Sequence, residues 1–228
     1  MKILALDSSA VTASCALTDN GKLISYAFVN AGLTHSQTLM PLVSQTLSNA
    51  GAKLEDIDKI AVSNGPGSFT GVRIGVATVK GISFAGKIPC VGVSTLEAAA
   101  YQYGDTNGYI CVVMDARRSQ VYTATFKSGK KPERLTEDRA IAISQLADEL
   151  EILDGNIILC GDGAQMCYEK MKDTVPGLTL ATEMMRYQSA FGVALAAADK
   201  DTVSPQELLP VYLRLPQAER ELREKSLN

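Results

Sequence analysis

Histidine is nearly missing from this sequence: His35 is the only one in 228 residues. A two-histidine zinc site therefore cannot be assembled within one chain, and the cysteines lack the spacing to replace it. A Ser-His-Asp or Cys-His nucleophile would also have to use His35. That residue stands between Thr34 and Ser36 at an expected helix start, and no Gly-x-Ser-x-Gly elbow occurs elsewhere. Capping or surface polarity accounts better for it, and metal-dependent hydrolysis is disfavoured by a residue count.

Paired cysteines are lacking too. Cys15, Cys90, Cys111, Cys160 and Cys167 are scattered, with no Cys-x-x-Cys and no secreted-framework spacing, and predict reduced core thiols. No apolar run reaches the length a bilayer requires, and Asp7 arrives too early for a signal peptide, which predicts a cytoplasmic protein without membrane contact. Neither charge sign dominates: a net charge of -3 and a pI of about 5.3 give no general reason to hold a polyanion. Any nucleic-acid role needs a local patch or a partner.

What is present is an alternation of strands and helices. The 46% hydrophobic and 21% charged residues suit a globular chain with a well-buried core, long enough for two small domains. Strands are expected at 2–6, 13–18 and 23–29, the last two joined by Asp19-Asn20-Gly21 as a hairpin. Thr34 is placed to cap a helix carrying Leu39, Leu42, Val43 and Leu47, stopped by Gly51. Strand 60–63, helix 70–85, strand 89–93 and a helix from the capping box Ser94-Thr95-Leu96-Glu97 to about Tyr103 follow.

The polar stretch Gly104 to Gly108 is the expected boundary between domains 1–103 and 104–228. Beyond it the pattern partly restarts: Tyr109 to Asp115 is an apolar run ending in Asp, as Ile3 to Asp7 was, with 120–126 as its hairpin mate. Helix 144–152, strand 157–160, helix 164–172 and an Ala-rich helix 189–199, free to pack back on the first domain, complete the expectation. The charged run Glu219 to Lys225 reads as a solvated helical end.

Three stretches could carry chemistry. Ser63-Asn64-Gly65-Pro66-Gly67-Ser68-Phe69-Thr70-Gly71 follows a strand and opens a helix, but it lacks the Lys-Ser/Thr of a P-loop and has Thr70 where a dinucleotide fingerprint needs its third glycine. It is either an anion-binding helix start or a tight turn built for packing. Gly71, Gly75 and Val79 lie four residues apart, a side suited to close approach of a partner helix. Asp7-Ser8-Ser9 and Asp115-Ala116-Arg117-Arg118-Ser119 stand at corresponding strand ends, where α/β sheets place ligands, with Gly161-Asp162-Gly163 as a third loop. The competing reading is ordinary turn chemistry.

Together the runs ILALDSS, HSQTLMP, NGPGSFTGVRIG, VSTLEA, MDARRSQVY, CGDG and PVYLR, in this order over nearly the whole chain, resemble the bacterial TsaB family, also called YeaZ. The resemblance implies the actin-like ATPase (ASKHA, ribonuclease H-like) α/β fold, in which two related domains have mixed sheets flanked by helices. It implies a part in making threonylcarbamoyladenosine beside the anticodon of tRNAs that read ANN codons. In that system the paralogue TsaD carries the metal and transfers the threonylcarbamoyl group. TsaB is its non-catalytic partner, a TsaE-type ATPase is a third component, and tRNA is met mainly through the complex.

The family's TsaD contact uses the helices at 35–50 and 70–85, and alone it forms homodimers through the same surface. This puts His35, Leu39, Leu42, Val43, Gly71, Val72, Gly75, Val76 and Val79 at the expected interface. No metal, no catalytic residue and no required cofactor are implied. Asp7, Ser8, Ser9, Asp115, Gly161, Asp162 and Gly163 are a vestigial nucleotide site with weak ATP or ADP binding in the complex. Ser8-Ser9 and Arg117-Arg118 stand where active relatives have glycine. The alternative is a small-molecule phosphotransferase of the same fold.

Overall fold

The structure, a computed structural model, describes residues 1–214, so the expected charged helical end at 219–225 lies outside the described residues. Strand β1 (Lys2–Asp7) is buried beyond its first residue and pairs antiparallel with β2 (Ala13–Asp19). The chain then reverses through Asn20 and Gly21, both at positive φ (49° and 78°), into β3 (Lys22–Val29). Helix α1 (His35–Asn49) leads to β4 (Lys59–Gly65), which lies parallel to β1, and α2 (Phe69–Gly86) leads to the parallel β5 (Cys90–Ser94). The first sheet has the order β3-β2-β1-β4-β5. Its parallel centre is covered on both faces, which is why β1 and β4 read as unbroken apolar runs.

Helix starts follow their caps unevenly. Ser68 Oγ accepts from Gly71 N at α2, and Ser94 Oγ accepts from Glu97 N at 3.2 Å to open α3 (Thr95–Ala100), which ends three residues before the expected Tyr103. Thr34 occupies the N-cap position of α1, but its hydroxyl makes no capping bond.

The second sheet is built from β6 (Tyr109–Asp115), β7 (Gln120–Lys127), β8 (Glu133–Arg134), β9 (Arg139–Ala142), β10 (Ile157–Cys160) and β11 (Leu178–Leu180). β6 and β7 are antiparallel, β6 and β10 parallel, and β10 and β11 parallel, the connectivity of β1, β2, β4 and β5 over again. Helices α4 (Ile143–Glu151) and α5 (Ala164–Met171) cover one face of it. The short α6 (Glu183–Arg186) precedes α7 (Ala190–Ala197), whose Ala194 and Val193 pack on Ala5, Ala61 and Val93 of the first sheet. α3 lies between the sheets: its Ala98 belongs to the first core, while Leu96 and Ala99 join Ile110, Val112 and Phe126 of the second.

β8, β9, β11 and α6 have no counterpart in the sequence reading, because two to four residues are too few for a period to show. All five cysteines are buried free thiols. Burial pushes the thiols of Cys15 and Cys167 up to about 12, so they are inert core groups.

Candidate functional site in the cleft between the sheets

The two sheets meet at a cleft of about 600 Å³, bordered by Ser9 and the loop 66–70 on one side, by Asp115, Arg117 and Asp162 on the other, and by residues 211–214. β1 and β6 end in equivalent aspartates, Asp7 opposite Ser14 in one hairpin and Asp115 opposite Val121 in the other. Their surroundings differ sharply. Asp7 is 1% exposed; its Oδ1 accepts from the backbone N (2.9 Å) and hydroxyl (2.8 Å) of Ser9, and its Oδ2 from Ser63 Oγ at 2.5 Å. Burial raises its pKa above the ordinary carboxylate range against the pull of those hydrogen bonds.

Asp7 therefore ties β1 to β4 and does not border the cleft, contrary to its expected place in a nucleotide site. Ser8 also turns inward and donates to the Gly71 carbonyl at 2.9 Å. Of that trio only Ser9 lines the cleft. Asp115 is exposed, and its Oδ1 accepts from Arg117 N at 2.7 Å, an Asx-type turn in which Arg117, Arg118 and Ser119 all adopt left-handed φ (66°, 55°, 57°). In the third loop Gly161 N donates to Arg186 O at 2.7 Å and Gly163 N to Val113 O at 3.2 Å, which fixes Asp162 beside the cleft. Asp162 Oδ1 accepts from Gln188 Nε2 at 3.2 Å, and burial pushes its carboxyl up to about 6. Gln188 is itself fully buried and its Oε1 has no partner.

The expected partner surface is turned round. Leu39, Leu42, Val43, Val72, Val76 and Val79 form the core beneath α1 and α2, each 5% exposed or less. A Cβ on Gly71 would stand 2.1 Å from Ser8 O, and one on Gly75 would stand 2.6 Å from Ser8 Oγ, so these glycines admit the helix to its own sheet. An amphipathic helix lays its apolar stripe on the sheet, and spacing alone cannot say whether a small-residue side faces inward or outward. Arg73, Ala77, Gly81, Phe84 and Ala85 of α2 and Met40 of α1 are among the residues that stand outward in its place. Phe84 is 68% exposed. His35 belongs to neither face: it is partly buried, its Nε2 donates to Ala10 O at 2.8 Å, and its Cδ2 lies against Gly71, joining α1 to the loop after β1.

Arg73 and the stretch 209–214 escaped functional assignment in the sequence, because neither has a period. The Arg73 guanidinium lies 3.8 Å from the centroid of Phe69, and its Nε donates to Tyr212 Oη at 2.8 Å. Arg214 Nη1 donates to Ala116 O at 2.6 Å.

A family model described as TsaD, tRNA N6-adenosine threonylcarbamoyltransferase, matches residues 30–217. The tRNA threonylcarbamoyladenosine biosynthesis protein TsaB of Bacillus subtilis is 31% identical over 96% of this chain and 96% of its own length. The chain belongs to the TsaB family. YeaZ from Pseudomonas aeruginosa has a similar structure, at a TM-score of 0.76 and 28% identity, covering 93% of this chain and 99% of that one. Component A of the (R)-2-hydroxyglutaryl-CoA dehydratase of Acidaminococcus fermentans, at 13% identity and a TM-score of 0.51 over 86% of this chain and 96% of that one, shares the fold alone. That fold is the actin-like ATPase fold.

A metal-bound nucleotide is what this fold implies for such a cleft, and of the two strand-end carboxylates only Asp115 faces that space. Asp7 is consumed by Ser9 and Ser63, Asp115 accepts the backbone N–H of Arg117 on one oxygen only, and Tyr212 and Arg214 border the space. Among the described residues no group of three His, Cys, Asp or Glu side chains could hold a metal ion.

Proposed function

We propose that this TsaB chain serves the formation of threonylcarbamoyladenosine in tRNAs reading ANN codons, as a non-catalytic subunit that binds and activates a TsaD-type transferase. The observation that carries this reading is the outward face of α2, where Ala77, Gly81 and Ala85 recur every four residues beside the exposed Phe84. Small residues at that spacing let a second helix approach closely, and an exposed apolar face of this kind marks an interaction site. The lone histidine and the consumed Asp7 leave the transfer chemistry to the partner. The chain needs no cofactor of its own, and tRNA is met mainly through the complex. A TsaE-type ATPase is the third component, and alone the same face closes on a second copy.

The test is size-exclusion chromatography of this chain mixed with a TsaD-type subunit, followed by tRNA modification with and without it. Gly81 has open space where its Cβ would be, so Gly81→Leu leaves the fold intact. With Phe84→Ala it weakens association by about tenfold or more, as loss of a central contact does. A heterodimer that forms unchanged with both variants overturns the assignment of this face. The phosphotransferase alternative loses its leading carboxylate with the inward turn of Asp7.

A further inference from the structure

We propose that residues 209–214 form a latch that limits how far the cleft between the two sheets opens, with Arg73 as its catch. The latch is anchored twice on the first sheet's side. Asn64 Nδ2 donates to Leu209 O at 3.0 Å and Val211 N donates to Asn64 O at 2.7 Å. A side chain at Gly65 would collide with this segment, since its Cβ would stand 2.1 Å from Val211 O. Tyr212 then lays its ring 4.9 Å from that of Phe69, and its hydroxyl accepts from Arg73 Nε. Two residues later Arg214 reaches the second sheet, where it donates to Ala116 O in the β6–β7 turn.

The contacts between the sheets are unequal, which makes this segment the releasable one. Away from the latch, α3 shares its buried side chains with both cores, Tyr103 Oη donates to Met185 O at 2.6 Å, and Arg134 reaches both Asp138 and Ser94. Those contacts behave as a hinge. Among the described residues the latch has instead one hydrogen bond to the second sheet and a stacked cluster in which Tyr212 is 39% exposed. Contacts with little burial open first. The turn that Arg214 holds has three successive non-glycine residues at left-handed φ, a conformation that persists only while its surroundings impose it.

Arg73 stands one turn from Ala77 on the outward face of α2, so anything seated there meets the catch. The latch itself does not require that partner. It is therefore tested on the full chain alone, and its failure leaves the proposed association untouched.

Hydrogen exchange is compared for the parent, Arg214→Ala, Tyr212→Phe and Arg73→Ala. Amides of residues 115–120 are expected to exchange about tenfold faster in Arg214→Ala and in Arg73→Ala, with β1, β4 and β10 unchanged. Among the described residues Arg73 bonds and stacks with Tyr212 and Phe69 and not with that turn, so a purely local role would leave it still. Exchange at 115–120 within about twofold of the parent in Arg73→Ala and in the milder Tyr212→Phe overturns the proposal. Spin labels at Ser48→Cys and Asp173→Cys supply the second measurement: the distance between them broadens when the latch is cut. An unchanged distribution overturns the latch even where exchange quickens.

Discussion

At the scale of single residues, two buried polar groups carry consequences that no motif announces. Lys59 is buried, and its Nζ donates to the carbonyls of Ala197 (2.7 Å), Ala198 (2.9 Å) and Lys200 (3.4 Å), closing the end of α7 where a cation is favoured. Lys59→Met strips those carbonyls of their donor and should cost about 2–3 kcal/mol, read from the urea midpoint. A cost below about 0.5 kcal/mol would show that water replaces the ammonium without loss. Asp162 acts through protons. Its folded-state pKa of about 6 exceeds the 3.8 of a free carboxyl, so the folded state holds more protons than the unfolded one across that window and stability falls as pH rises through it. Asp162→Asn removes this loss and offers a donor to the unpartnered Gln188 Oε1. Its advantage over the parent should grow by ~1–2 kcal/mol between pH 4 and pH 7 in denaturant titrations. A difference that does not move with pH would mean that the carboxyl is already ionised at pH 4.

At the scale of elements, α1 and α2 show what helical spacing conveys and what it omits. Leu39, Leu42 and Val43 recur as an amphipathic helix requires, and they are buried. Gly71 and Gly75 follow a similar rule, and it cannot tell a side that admits the sheet from one that admits a partner. Two leucine substitutions separate the sides. Gly75→Leu drives a side chain into Ser8 and Val62, and should cost about 3 kcal/mol or more. Gly81→Leu points into open space and should leave the melting temperature within about 3 °C while weakening association by about tenfold or more. Equal destabilisation by both would mean that the outward face is packed against something in the chain alone. The long elements were legible because burial imposes a period on them. β8, β9 and β11 were not, since their register is imposed by β7 and β10 and leaves little trace in two to four residues.

At the scale of the whole molecule, the decisive relation is that between the two strand-end aspartates. In the sequence Asp7 and Asp115 look alike, each closing an apolar run. The fold gives Asp7 to Ser63 of a neighbouring strand and leaves Asp115 in the cleft. Calorimetric titration of the chain alone with Mg-ATP should accordingly be flat into the high micromolar range. Heat of binding that disappears in Asp115→Ala would restore the phosphotransferase reading.

The sequence by itself determined the alternation of strands and helices, the repeat of an apolar strand ending in Asp with its hairpin mate, the reduced state of its thiols and the poverty of metal ligands. Composition and local periodicity suffice for these, because each depends on which side chains are present and how they alternate along the chain. Only the tertiary structure decided which way α2 turns its glycines, which aspartate is spent, and where Arg73 belongs. Those outcomes depend on pairs such as Asp7 with Ser63 and Arg73 with Tyr212, 56 and 139 residues apart, whose meeting is set by the packing of whole sheets.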